Sequence, residues 1–456
     1  MSELRDLFYA ERDLRTRQCG GLDAHLERPV RIVVGAEAAQ TRAGQVAALA
    51  LINMVARVHR RVILDVPSAP LRAQALVAAD ELGQAMVATA LAINPFLEIR
   101  SAPRAEDADV VGIGVGPLVF ENVDFTLTWH GGIGRLQVSG TGDASAHEQV
   151  EGEAVIGAAA ASVLGAWALF RAVHDQTVDQ SQWNPYERST ASAAGAPESL
   201  GPLDLGHVQV VGAGAVASAL VYWVRELGMV GPWEIVDADV AQLHNTNRCL
   251  CLLAADAGWP NGVRDGKSVT KVSSLAPLIN ATSHEAWYDE WDGIDRRPDL
   301  VLPLANARDV RPLIAGRGEP LLLHATTSQR WTAELHRHIP ELDDCPACRM
   351  PDAATPVFEC STGPSVPDQP DSPDAALPFL SAAAGLLLAT ALLQVANGEI
   401  VRGDRNHWLT DFAAADPRMR SYRHPPREGC THQLSSTVRS MVHQTAPRRW
   451  DVIRVE

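Results

Sequence analysis

The feature that most constrains this chain is an alternation that begins twice. Near residue 30 an apolar run, VRIVVG, precedes a helix-period segment, LALINMVARV, and a second apolar run, RRVILDVP. Near residue 207 the alternation restarts with HVQVVGAGA, then SALVYWVREL, then PWEIVDAD. Short apolar runs of strand length separated by helical segments predict parallel strands joined by crossover helices. ADVVGIGV extends the first series as a third strand, and VDFTLTWHGGIGRLQVSGTG reads as strand–turn–strand around Gly131 and Gly132. PDLVLPLAN and EPLLLHAT extend the second. Each series runs into a long Ala-rich helix, EGEAVIGAAAASVLGAWALFRAVH and FLSAAAGLLLATALLQVANGE, where small residues permit close packing. The expectation is an α/β chain with two copies of one plan. A stretch rich in Pro, Gly, Ser and Ala, 183–206, reads as a linker, and the predicted division is 1–190, a linker at 191–206, and 207–456. Residues 1–28 read as a charged helical segment with Leu4, Leu7 and Leu14 near helical spacing.

A length of 456 residues is more than one core usually holds, which agrees with two domains. The formal charge of −16 argues against a nucleic-acid backbone as partner. No apolar run reads as long and charge-free enough to span a bilayer. MSELRDLFYAERDLRTRQ has no apolar core of a signal peptide. The seven cysteines, an odd number, point to a reducing compartment and a cytoplasmic protein.

The turn Gly212-Ala-Gly214 stands between a predicted strand and a predicted helix. Backbone N–H groups and a helix N-terminus would there face a phosphate; the alternative is a tight turn with no ligand. The second strand of the series ends in Asp237 and Asp239, and Asp237 is placed to bind ribose hydroxyls. Asn245 follows eight residues after Asp237 and Arg248 eleven after. A nicotinamide or flavin protein has no need of that pair. An adenylating enzyme does, because a cation must meet the phosphates and polar groups must fix the nucleotide.

GAGAVASAL, then VDADVAQLHNTNR, then a lysine, resembles the adenylation domain shared by ThiF, MoeB and ubiquitin-activating enzymes. The resemblance implies two Rossmann-like domains and ATP with Mg2+. Gly212 and Gly214 would flank the nucleotide, Asp237 would hold ribose, and Asn245 and Arg248 would contact phosphate. The family lysine falls on Lys267, with Lys271 as runner-up after the insertion GWPNGVRD. Both also fit a solvated helix face. Where the family carries Asp in a D-x-x-D-N setting, this chain has LVLPLANARD, with Asn306 at the Asp position and Pro303 replacing the earlier acid. Asn is a weaker ligand for a hard cation than a carboxylate, so Asp309 or another acid compensates or turnover is weak.

Cys345-Pro-Ala-Cys348 is a C-x-x-C knuckle, and Cys430 and His432 complete a candidate Cys3His zinc site. His407 and His424 are alternative fourth ligands, and a free thiol pair or a redox motif are the other readings of the knuckle. The family often carries two C-x-x-C pairs in these places, so the resemblance favours structural Zn2+. It also places a thiol in the crossover segment, here Cys360, which would take the acyl group; the alternative is a loop cysteine without chemistry. Cys249 and Cys251, in an apolar run, read as packed in the core.

LRTRQ (14–18) resembles the R-x-x-RQ segment through which one subunit of a family dimer lends an arginine to the other. That residue is Arg17, with Arg15 as alternative; otherwise the two only cap a charged surface helix. VVGAEAAQTRAG has no glycine turn, and no N-x-x-R follows VILDV. The resemblance therefore implies an intramolecular pseudo-dimer whose first copy is inactive. It implies an enzyme that adenylates the C-terminal glycine of a ubiquitin-like protein, with a conjugating-enzyme-like acceptor, in a bacterial antiphage pathway. The rivals are adenylation of a sulfur carrier or small peptide, a non-catalytic scaffold and, more distantly, a nicotinamide oxidoreductase.

Overall fold

The fold was taken from a computed structural model. It describes residues 2–14, 16, 23–104, 109–117, 120–140, 152–191, 195–196, 202–305, 310–328, 330–349, 377–398, 404–445 and 449–450. The strands are β1 Val30–Val34, β2 Arg61–Asp65, β3 Glu98–Arg100, β4 Val111–Val115, β5 Phe125–His130, β6 Ile133–Val138, β7 Ser181–Trp183, β8 Leu203–Asp204, β9 Val208–Val211, β10 Met229–Val230, β11 Trp233–Val236, β12 Thr282–His284, β13 Leu300–Pro303, β14 Leu322–Thr327, β15 Thr332–His338, β16 His407–Asp411 and β17 Arg418–Tyr422. The helices are α1 Ser2–Arg12, α2 Asp23–Leu26, α3 Ala36–Gln40, α4 Arg42–Ala56, α5 Leu82–Ile93, α6 Val155–Val173, α7 Ala215–Leu227, α8 Leu243–Thr246, α9 Lys271–Leu275, α10 Val310–Ala315, α11 Pro346–Arg349, α12 Pro378–Ala396 and α13 Ser436–Thr445.

Val and Ile are the commonest residues of β1, β4 and β9, and β4, β9 and β11 are buried throughout, although Gln209 and Glu234 interrupt the apolar runs. The first sheet has the order β3-β2-β1-β4-β5-β6-β7 and the second β12-β11-β9-β13-β14-β15-β16-β17. Setting β9 against β1 superposes the two orders. In each, the first five strands pair in parallel and the next pairings are antiparallel. The repeated α/β plan is therefore present, and the second sheet adds β17 at its edge.

The helices α6 and α12 occupy matching places, between the sixth and seventh strands of their sheets, and pack against one another. Apolar residues of both halves, from Leu26 to Phe412, form one buried cluster. Bonds cross between the halves: the Trp167 indole donates to the Phe412 carbonyl at 2.8 Å, and Arg171 to the Ala413 carbonyl at 2.8 Å.

Two expectations, on membrane-length helices and on the linker, need correction, and the N-terminal helix is present with its own packing face. Both α6 and α12 are long and apolar enough to cross a bilayer, contrary to the sequence reading; 94% and 89% of their apolar windows are buried inside the protein. A helix apolar all round suits a core as well as a membrane. In α1, Leu4 and Leu7 are exposed, as is Leu14 beyond it, while Phe8 and Tyr9 pack with Leu243, Ala254 and Trp259 of the second half. The stretch 183–206 is not all linker. Trp183 ends β7 and is fully buried, Asn184 and Ser189 form a bridge, and β8 pairs with β10.

Candidate functional site

The glycine turn follows β9. Gly212 has φ +101°, and a Cβ there would lie 2.6 Å from the Ala305 nitrogen, so glycine is required on two counts. Gly214 caps α7 without a side-chain hydrogen bond, and a Cβ added to it would meet nothing within 4 Å. Among the described residues nothing covers the N-terminal end of this 13-residue helix, where orphan N–H groups and the helix dipole favour an anion.

Asp237 lies at the end of β11, where the parallel register with β9 brings it to the turn. One carboxylate oxygen accepts from the Ala213 N–H at 2.6 Å and the other from the Asp239 N–H at 2.7 Å. Burial pushes its pKa up, against the pull of Lys271. Two bonds leave a carboxylate further acceptor positions, as a ribose would need. Of the two candidate lysines, Lys271 is the one at these acids. It is buried, at the first turn of α9, with Nζ 2.6 Å from Asp239. Lys267 is exposed on the preceding extended segment. Thr270, whose side chain caps α9, sets the lysine's place.

Helix α8 carries Asn245. Its side-chain oxygen accepts from the Gln242 N–H at 3.1 Å in a reciprocal capping box. Arg248 follows, and next to it Cys249 packs with Ala215 and Ala241, which sets the segment beside the start of α7. The Nη1 of Arg248 is buried with no hydrogen-bond partner among the described residues. Cys249 and Cys251 are both buried, as expected.

The first half reaches this region. Asn247 donates to the Thr16 hydroxyl at 3.2 Å, both side chains being buried. Arg15 and Arg17 lie outside the described residues, as do Asn306, Asp309 and Cys360. In the first half's own register Val33 pairs with Asp65. Setting Gly35 against Gly212 therefore puts Pro67 where the second half has Asp237.

Cys345, Cys348, Cys430 and His432 converge. The Cys430 sulfur is 3.6 Å from Cys345 and 3.5 Å from Cys348, and His432 Nδ1 is 3.7, 3.6 and 3.8 Å from Cys345, Cys348 and Cys430. A tetrahedral zinc with bonds of about 2.3 Å to sulfur spaces its sulfurs about 3.8 Å apart. The four donors fit that ion, and the Cys348 N–H supports the knuckle by donating to the Cys345 sulfur at 3.2 Å.

His407 and His424 belong elsewhere, to a row of histidines on the antiparallel side of the second sheet. His336 pairs in register with His324 on one side and His407 on the other, each with ring centroids 4.4 Å apart. Glu334, His336 and His407 bring ligating atoms together. A second feature decides their chemistry. Arg349 Nη1 lies 2.9 Å from His336 Nδ1. Arginine only donates, so Nδ1 accepts, and the neutral ring carries its proton on Nε2. Burial, the largest influence, lowers the His336 pKa to about 3 and keeps that ring neutral. The Nε2 lone pair is then spent on a proton facing Glu334 and Thr326, so we read this row as a hydrogen-bond network. Sequence reading missed it, although the i, i+2 spacing of His336 and His338 on a strand signals a shared face.

A protein-family model described as the BilD N-terminal domain matches residues 29–182. No curated protein matches the chain. Solved structures of MccB from E. coli resemble it. One with succinimide shares 12% identity, covers 68% of this chain and 98% of that one, and has a TM-score of 0.37. Structures with AMPCPP plus MccA and with ATP, both also 12% identical over 68% of this chain, cover 98% and 97% of those chains and have TM-scores of 0.38.

Proposed function

We propose that the chain is a ubiquitin-activating-like adenylyltransferase whose second half binds ATP and whose first half is an inactive copy. The observation that carries this is the buried Nη1 of Arg248, without a partner among the described residues, on a segment whose next residue, Cys249, packs against Ala215 at the start of α7. A donor held without an acceptor needs one, and a phosphate oxygen suits a guanidinium in both charge and geometry. The match of 29–182 to a model from a bacterial ubiquitin-like pathway supports the setting.

In this reading Asp237 accepts from the ribose hydroxyls, Asn245 and Arg248 face the phosphates, and Lys271 or Lys267 approaches the α-phosphate. Asn306 is the candidate for Mg2+, and the Cys3His site holds zinc as a structural clamp. A C-terminal glycine carboxylate of the ubiquitin-like partner attacks the α-phosphorus. The bond to the bridging oxygen breaks, pyrophosphate leaves, and an acyl-adenylate results. Catalysis comes from alignment and charge neutralisation. Pro67 in place of an acid supports inactivity of the first half, and the Thr16–Asn247 bond supports the loan of Arg17. Cys360 would attack the acyl-adenylate and release AMP, handing the thioester to a conjugating-enzyme-like acceptor in the cytoplasm.

The test is ATP–pyrophosphate exchange with a candidate carrier ending in glycine. Exchange in the native protein, lost in Arg248→Ala, is expected. Nucleotide binding with no exchange for any glycine-tailed carrier would replace the enzyme by a scaffold. Mass spectrometry of Cys360→Ala should show adenylate without thiol adduct.

A further inference from the structure

Arg57, at the end of α4 in the first half, is fully buried in the shared core. Among the described residues its guanidinium has no carboxylate partner in a salt bridge. Nε donates to the Asn53 side-chain oxygen at 2.8 Å, Nη1 to the carbonyls of Thr246 and, at 3.0 Å, Leu252, and Nη2 to the carbonyl of Leu250. Asn53, one turn earlier on α4, also donates to the Leu250 carbonyl at 3.1 Å. Three of these acceptors come from one segment, Thr246–Leu252, and that segment contains Arg248. Two further anchors come one from each half. The Cys251 N–H donates to Ser218 on α7 at 2.9 Å, and the Ala254 N–H donates to the Ala92 carbonyl of the first half at 3.0 Å.

A charge held by neutral carbonyls alone is an expensive group to bury. Arginine's fixed fork makes it suited to the task, since one planar group gathers several carbonyls of an irregular segment at once. An irregular loop in a core must satisfy its backbone groups somehow, and here the first half supplies the donors.

We infer that Arg57, with Asn53, is a positioning residue: the first half sets the conformation of the 246–252 segment and through it the placement of Arg248. The inference rests on the nucleotide reading for its functional consequence, but the positioning itself does not. It gives the first half a role separate from any arginine it lends, namely to build part of its neighbour's site.

Two measurements separate the claims. Hydrogen exchange on the full chain, without nucleotide, compares Arg57→Met and the milder Asn53→Ala with native protein. Faster exchange confined to amides of 246–254, with β9 and α12 still protected, is expected. Uniform loss of protection in both variants, or no local change in either, overturns the positioning role. Calorimetry with the non-hydrolysable analogue AMPCPP then reads affinity. Arg57→Met should weaken binding by about tenfold or more, as small misplacements do. The same change in an Arg248→Ala background should add little further loss. Full additivity overturns action through Arg248. Local loosening in the variants, together with no nucleotide binding by the native protein, upholds the positioning and sinks the nucleotide reading instead.

Discussion

The turns at Gly35 and Gly212 leave matching strands of two sheets with the same order, and they go different ways. After β1 the chain makes the five-residue α3, buries Ala38 and Ala39, and only then starts α4, capped by the Thr41 hydroxyl on the Gly44 N–H. A Cβ at Gly44 would lie 2.1 Å from the Ala38 carbonyl oxygen, so that turn is filled by its own chain. After β9 the chain enters α7 at once, and a Cβ at Gly214 would meet none of the described residues within 4 Å. One topology thus supports both a closed turn, which stabilises, and an open one, which leaves helix N–H groups for a ligand.

The largest effect that would sharpen this contrast concerns the metal. Among the described residues the thiol cluster belongs to the second half alone. Structural zinc contributes binding energy on the order of 10 kcal/mol. Replacing Cys345 and Cys348 together by Ser should abolish bound zinc, read by atomic emission, and lower the melting temperature sharply by calorimetry. Native metal content in that variant would refute the site.

The acids come next. Asp237→Asn should weaken ATP binding by about 1.5–3 kcal/mol, the worth of a charged hydrogen bond. Asp65→Asn, on the matching strand of the first half, should change it by nothing measurable in the same titration. Equal losses would erase the distinction between the halves.

Much of this was legible in sequence because period and spacing carry it. The repeated strand–helix alternation, the two long helices and the knuckle with its distant Cys430–His432 pair are all patterns of residue type at fixed intervals. Other features were not legible. Lys271 outranks Lys267 at the acids because the bridges Val240–Thr270 and Ala257–Ser268 fold the insertion back, and no local signal reports such a fold. Arg57 looks in sequence like a surface residue ending a helix, since only tertiary contact provides its carbonyl partners. The first half, which has neither the glycine turn nor the N-x-x-R spacing, is the part that a family model matches. Its turn has Glu37 where the second half has Gly214, so a motif search passes it by, while the two strand orders agree.

A smaller effect compares the two long helices. A Cβ at Gly165 in α6 would meet the ends of the Leu127 and Ile113 side chains at 2.7 and 3.0 Å, which can turn aside. At Gly385 in α12 it would meet the Ala219 Cβ at 2.6 Å and α7 backbone. Gly→Ala inside a helix gains about 1 kcal/mol of propensity. Gly165→Ala should be near neutral and Gly385→Ala destabilising by about 1–3 kcal/mol through overpacking. Urea titrations of both variants check the sign, and a neutral Gly385→Ala would show that α12 and α7 are not locked together.

The last comparison sets Arg57 against Glu226, the ionisable group the second half buries at the end of α7. Where Arg57 finds several acceptors, Glu226 Oε2 has no partner among the described residues. Burial raises its pKa to about 7, against the opposing pull of Arg225, Arg42 and the Gln74 N–H. A folded-state pKa above the unfolded value near 4.5 means the folded protein keeps a proton the unfolded chain releases. Stability is then full below about 4.5, falls as pH rises toward about 7, and stays low above it. At 1.36 kcal/mol per unit the whole fall is about 3 kcal/mol at most. Glu226→Gln keeps the shape and removes the titration, so it should flatten that part of the curve and be the more stable protein at pH 8. Parallel stability curves for the two proteins between pH 5 and pH 8 would mean that Glu226 is ionised in the core, with a counter-charge of its own. The contrast with Arg57 would then be gone.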